Sequence, residues 1–128
     1  MRVEELSLPG VKLIRLDPHC DNRGSFTETY DRAKYAALGI DTEFVQDSTS
    51  VSAVAGTVRG FHFQVPPRAQ DRLVRVVRGR IYDVVIDIRV GSLTFGEHVG
   101  FKLAEEDWTQ VFVPKGFAHG FCTLEPSS

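Results

Sequence analysis

The sequence predicts an all-β protein, an antiparallel sandwich or barrel with one short helix. Three observations lead there. Short extended segments rich in Val, Ile and Phe recur along the whole chain. Gly, Pro, Asn and Asp interrupt them at close spacing, the pattern of strands joined by turns. Only one stretch has helical character. A chain of 128 residues and 14.3 kDa suits one domain and buries roughly two-thirds of its unfolded surface.

Taken in order, Val11–Leu16 reads as a strand after the Pro9-Gly10 turn. Asp21-Asn22-Arg23-Gly24 is a turn, and residues 25–30 alternate as a strand does. Residues 31–38 form the helix: Asp31 can cap it, Ala33, Ala36 and Ala37 favour it, and Gly39 ends it. Residues 43–46, 49–54 and 58–64 are strand candidates, and 65–71, with Pro66-Pro67, is a loop. Residues 72–77 and 80–89 flank Arg78-Gly79, which reads as a hairpin turn. Residues 96–103, 108–113 and 118–124 complete the series. There is no repeat, low-complexity tract or linker, so residues 1–128 read as a single domain.

Composition sets limits. Apolar residues are 42% and charged residues 25% of the chain, ordinary values for a soluble globular protein. No apolar run is long enough to span a bilayer. The acidic start Met1-Arg2-Val3-Glu4-Glu5 lacks the apolar stretch of a secretory leader. Cys20 and Cys122 are far apart and show no metal-type spacing, so they read as reduced thiols of a cytoplasmic protein.

The net charge of −2 is unevenly spread. Residues 59–80 carry six arginines against Asp71 alone, a local +5. Arginine suits planar, two-pronged contacts with phosphate or carboxylate, so an anionic small ligand is expected. Nucleic acid is not: the chain is acidic overall and the segment has no aromatic-interleaved basic stripe.

Alternation sorts the strand faces. Along 58–64, Gly60, His62 and Gln64 fall on one side, and Arg59, Phe61 and Phe63 on the other. Along 80–89, Ile81, Asp83, Val85, Asp87 and Arg89 share a mixed face that suits a ligand-holding lumen. Tyr82, Val84, Ile86 and Ile88 form an apolar face that reads as core or subunit interface.

The block P-K-G-F-A-H at 114–119 has the P-x-G-x-x-H form of the second cupin motif. A metal-binding cupin also needs H-x-H and a downstream Glu. Here the matching position reads His62-Phe63-Gln64, a poor donor set for a divalent transition metal. The expectation is a cupin-like barrel with no metal and no other cofactor. Neither cysteine sits in a nucleophile motif, and no glycine-rich phosphate loop occurs. Proton transfer remains, with His62 as base, Asp83 as its orienter, and Arg59, Arg72 and His119 nearby.

The ordered blocks D-N-R-G-S-F-T-E-T-Y at 21–30, F-V-Q-D-S at 44–48 and V-R-G-F-H-F-Q at 58–64 carry a family likeness. So do R-L-V-R-V-V-R-G at 72–79, I-Y-D-V-V-I-D-I-R at 81–89, S-L-T-F-G at 92–96 and Q-V-F-V-P-K-G-F-A-H-G-F at 110–121. Through them the chain resembles the dTDP-4-dehydrorhamnose 3,5-epimerases and their deoxysugar relatives, metal-free cupins with a jelly-roll barrel. The resemblance implies that His62 removes a proton alpha to the C4 ketone of a nucleotide-linked sugar, with Asp83 paired behind it. Arg59 and His119 would contact the diphosphate, and Gln46 and Ser48 would lie along the nucleotide. Arg23 and Glu28 would reach the site of a partner subunit in a homodimer.

Two residues depart from the family pattern: Arg72 stands where lysine is usual, and Ser48 where asparagine is common. The resemblance also implies a tyrosine proton donor beyond position 128. Tyr30, Tyr35 and Tyr82 belong to other blocks, so a missing C-terminal tail is expected.

Overall fold

The computed structural model describes all residues, 1–128. Ten strands and one α-helix follow in order: β1 (Arg2–Glu5), β2 (Lys12–Arg15), β3 (His19–Asp21), β4 (Gly24–Phe26), α1 (Arg32–Ala37), β5 (Val58–His62), β6 (Arg72–Arg75), β7 (Arg80–Asp87), β8 (His98–Ala104), β9 (Thr109–Val113) and β10 (Phe117–Thr123). They form two four-stranded sheets, β1-β2-β9-β6 and β5-β10-β7-β8, and a separate hairpin, β3-β4. Every pairing is antiparallel. The all-β, cupin-like jelly-roll expectation holds.

The two sheets pack face to face. Val11, Leu13, Val111 and Val113 from the first meet Ile81, Val85, Leu103 and Phe117 from the second in one buried cluster. The first sheet has a second apolar face, where Ile14, Leu16 and Phe112 pack under Tyr35 and Ile40. Strands buried on both faces read as nearly continuous apolar runs, as Val111-Phe112-Val113 does.

A six-residue helix has little stability of its own, so α1 depends on its cap and its packing. Asp31 Oδ1 accepts from the Lys34 amide at 2.8 Å. Gly39, at φ +76°, follows its end. The fully buried Tyr35 donates its hydroxyl to Gln110 Oε1 at 2.6 Å, tying the helix to β9. Burial pushes the Tyr35 phenol up to about 12, which keeps it a donor at neutral pH.

Several expectations fail for physical reasons. Arg78-Gly79 closes no hairpin: β6 lies in one sheet and β7 in the other, so the turn carries the chain across the barrel. Residues 43–46 and 49–54 form no strand, and no backbone–backbone bond involves residues 41–51. Alternation in so short a run records two faces but not whether a neighbouring edge receives it. The strand expected over 25–30 pairs only as far as Phe26. On β7 the buried face is Ile81, Asp83, Val85 and Asp87, while Tyr82 is 42% exposed and Val84, Ile86 and Ile88 are half-buried on the outside. The all-apolar face is therefore not the core. The face with two aspartates is, because both carboxylates find donors there.

Asp87 is fully buried. It accepts from Arg89 Nε (3.0 Å) and Nη2 (2.7 Å), from Ser92 Oγ (2.6 Å) and from Thr94 Oγ1 (2.6 Å). The Arg89 side-chain bonds, opposed by burial and helped by the two hydroxyls, hold this carboxyl well below the usual carboxylate range. A depressed native pKa gives stability that is present above the unfolded value, about 4, and lost as pH falls toward the native one. Asp87→Asn removes this linkage. The melting temperature of the variant should fall less between about pH 4 and pH 2 than that of the parent. Equal acid slopes in the two proteins would refute it.

Candidate active site

The site is built on β5, β10 and β7 of one sheet and on β6 of the other. His62 of β5 lies directly opposite His119 of β10, and Arg59 lies opposite Phe121. Three steps along β5 thus match two along β10, a bulge. His119 and Phe121, two apart, share a face, so their partners His62 and Arg59 share it too. The alternation read from sequence had put these two on opposite sides, and the bulge corrects it. Gly60 makes the bulge possible. Its φ is +122°, and a Cβ there would meet Gly120 Cα at 2.6 Å and His119 O at 2.9 Å.

The orienter expected for His62 serves a different ring. Asp83 Oδ2 lies 2.8 Å from His119 Nε2, with Asp83 fully buried and His119 7% exposed. Strand order explains this. β10 lies between β5 and β7, so Asp83 and His62 stand on strands about 10 Å apart. His119, on the strand between them, intercepts the carboxylate. The bond places the His119 proton on Nε2 and leaves Nδ1 for a ligand. Asp83 Oδ1 has no partner.

His62 is exposed and its ring has no hydrogen-bond partner. Arg72 reaches it from the facing sheet: Arg72 Nη1 donates to the His62 carbonyl at 3.0 Å. Val74, on the same face of β6 as Arg72, packs into the inter-sheet core. Position 72 therefore points into the barrel. Arg59 Nε donates to Ser52 Oγ at 3.1 Å. Ser52 is 3% exposed. Sequence reading missed it, since a small hydroxyl in an expected strand gives no signal. Asp71, beside Arg72, accepts from Thr42 Oγ1 and from the Lys115 amide, both at 2.7 Å.

The remaining residues lie apart from this group. Gln46 and Ser48 are bonded to each other at 3.1 Å and line a cleft of about 480 Å³. The cleft follows β6 and reaches Phe121, the strand neighbour of both Arg59 and Asp83. Arg23 and Glu28 are elsewhere. Arg23 Nη2 pairs with Asp21 at 2.6 Å, and Glu28 pairs with Lys34 at 2.5 Å. The β3-β4 hairpin pairs only with itself, and its Phe26 is 75% exposed. Nowhere do three or more His, Cys, Asp or Glu side chains group so as to hold a metal ion. No helix is long and apolar enough to cross a membrane.

The arrangement can do three things chemically. An accessible imidazole can take a proton. A second imidazole, held by a buried carboxylate through Nε2, can donate from Nδ1 to an anion only as the doubly protonated imidazolium. Guanidinium groups from both sheets can stabilise negative charge.

Comparison with known proteins finds similarity over nearly the whole chain. The family model described as dTDP-4-dehydrorhamnose 3,5-epimerase matches residues 5–128. A curated dTDP-4-dehydrorhamnose 3,5-epimerase of Sinorhizobium fredii is 47% identical over 125 residues, which cover 98% of this chain and 64% of that protein. The chain thus spans just under two thirds of that relative's length. The solved dTDP-4-dehydrorhamnose 3,5-epimerase of Bacillus anthracis, with TDP and PPi bound, superposes with a TM-score of 0.96 at 47% identity, covering 98% of this chain and 72% of that one. A Legionella pneumophila enzyme in complex with dTDP-4-keto-L-rhamnose gives 0.93 at 40% identity, covering 98% and 66%.

Proposed function

This chain belongs to the dTDP-4-dehydrorhamnose 3,5-epimerase family, and we propose that it epimerises a nucleotide-linked 4-keto-6-deoxysugar at C3, C5 or both. His62 is the base that takes the proton alpha to the C4 ketone. Arg72 stands across the barrel, where the enolate oxygen develops its charge. His119, positioned by Asp83, and Arg59, braced by Ser52, take the diphosphate. Gln46 and Ser48 lie along the nucleotide.

One observation carries this reading: His62 and His119 face each other across a strand pair, with Arg59 turned to the same side and Arg72 bonded to the His62 carbonyl. A proton next to a ketone is only weakly acidic, so its removal needs both a base and a place for the charge. A general base contributes about 10²–10⁴-fold. A donor fixed at the developing oxyanion contributes about 10²–10³-fold more. Arginine at 72 can fill that second role as lysine would, with a broader, planar set of donors.

The hairpin supports a dimeric reading. Arg23 and Phe26 stand on an exposed arm, and Glu28 follows it in the chain. In a homodimer this arm can reach a second copy's cleft, supplying Arg23 and Glu28 there. The nucleotide-sugar substrate and the unpaired thiols Cys20 and Cys122 support a cytoplasmic setting.

The test is hydrogen exchange. The protein is incubated in heavy water with a dTDP-linked 4-keto-6-deoxyglucose, and the sugar's C3 and C5 protons are followed by NMR. Loss of either signal well above the buffer rate is expected. Binding of the sugar nucleotide without exchange would reduce the barrel to a receptor and remove the enzymatic reading.

A further inference from the structure

Of the six arginines in residues 59–80, three have partners: Arg59 is held by Ser52, Arg72 by the His62 carbonyl, and Arg80 by Glu106. Arg68, Arg75 and Arg78 have no side-chain hydrogen bond or ion pair. Only one of these three lines the cleft of about 480 Å³, and it is Arg75. It is also the only basic side chain in that lining.

Its surroundings are built rather than incidental. Arg75 is the strand partner of Gln110. Gln110 is 2% exposed and immobilised by Tyr35 at 2.6 Å and by the Thr29 carbonyl at 2.9 Å. Arg75 is close enough to Tyr35 to favour that phenol's ionised form, against the larger effect of burial. Beside it Tyr30 stands edge-on to Phe44, with ring centroids 5.6 Å apart, as an aromatic wall. Gln46 and Ser48 supply polar atoms. An aromatic wall, amide and hydroxyl groups, and one uncommitted guanidinium are what a nucleoside phosphate needs.

We propose that Arg75 is a binding and specificity-determining residue that takes a phosphoryl group of the nucleotide. It acts on the part of the ligand that does not react, from the face of β6 opposite Arg72 and Val74, at the outer side of the cleft. The inference rests on the nucleotide-sugar reading of the site. Arg75 is exposed, so its replacement leaves the core intact.

The experiment is calorimetric titration of the full chain with thymidine diphosphate and, separately, with thymidine. Arg78, unpartnered and outside the cleft, is the electrostatic control. Arg75→Gln should weaken thymidine diphosphate binding by about 10–100-fold, the worth of a charge-assisted hydrogen bond. It should leave thymidine binding unchanged, and Arg75→Lys should fall between. Arg78→Gln should change diphosphate binding no more than about twofold, as for an exposed, solvent-screened charge that makes no contact with the ligand. If Arg75→Gln matches Arg78→Gln, or weakens thymidine as much as its diphosphate, the assignment to Arg75 fails while the nucleotide reading survives. If the parent protein binds no thymidine diphosphate, the functional reading itself fails.

Discussion

His62→Ala brings proton exchange at the sugar's C3 and C5 down to the buffer rate. The expected fall is roughly 10²–10⁴-fold, the usual contribution of a general base. The ring is exposed and unpartnered, so its removal opens no cavity and leaves no buried polar group stranded. What Arg72 holds is the main-chain carbonyl of residue 62, which alanine retains. The variant should therefore melt close to the parent and still bind thymidine diphosphate. That combination separates a lost base from a lost fold. Exchange persisting at the parental rate would move the proton transfer to another group, and His119 would be the first to test.

Gly60→Ala is the second large effect, and it falls on stability. The added carbon meets Gly120 Cα at 2.6 Å and His119 O at 2.9 Å. Both belong to the backbone of a strand paired on both sides, so neither can yield as a flexible side chain would. At φ +122° a side chain also strains the backbone, by about 1–3 kcal/mol. Crowding adds about 1–3 kcal/mol more. A loss of about 3 kcal/mol lowers the melting temperature by on the order of 10 °C in a domain of this size. A variant melting within about 2 °C of the parent would show that β5 accommodates the carbon by shifting. The effect should reach the site as well, because the bulge is what turns Arg59 and His62 to the same side.

These two residues show how much of the site the sequence carries. His62, Arg59, Arg72, Asp83 and His119 were legible as a group from ordered blocks of residues. The structure brings them to β5, β6, β7 and β10, with Asp83 and His119 buried and Arg59 and His62 exposed. Helix α1 was legible too, because Asp31 and Gly39 mark its ends by local chemistry. What stayed hidden was relational. The bulge at Gly60 breaks a period of two without any run of residues announcing it. Which face of β7 turns inward depends on donors supplied by Arg89, Ser92, Thr94 and His119, not on its own hydrophobicity. The partner of Asp83 depends on which strand lies between two others, and strand order is not written in any one segment. The passage from β6 to β7 looked like a hairpin because a turn signal fixes local bending and not the destination of the chain.

Asp71 carries a consequence for how this fold tolerates change. Its two oxygens fasten Thr42 and the Lys115 amide, and its backbone is continuous with Arg72. Three distant stretches of chain are pinned at one point, immediately next to Arg72. The loops at that end therefore take their shape from the aspartate and not from its neighbour. An exchange of one cation for another at position 72 should therefore retune the chemistry while the scaffold around it stays as it was.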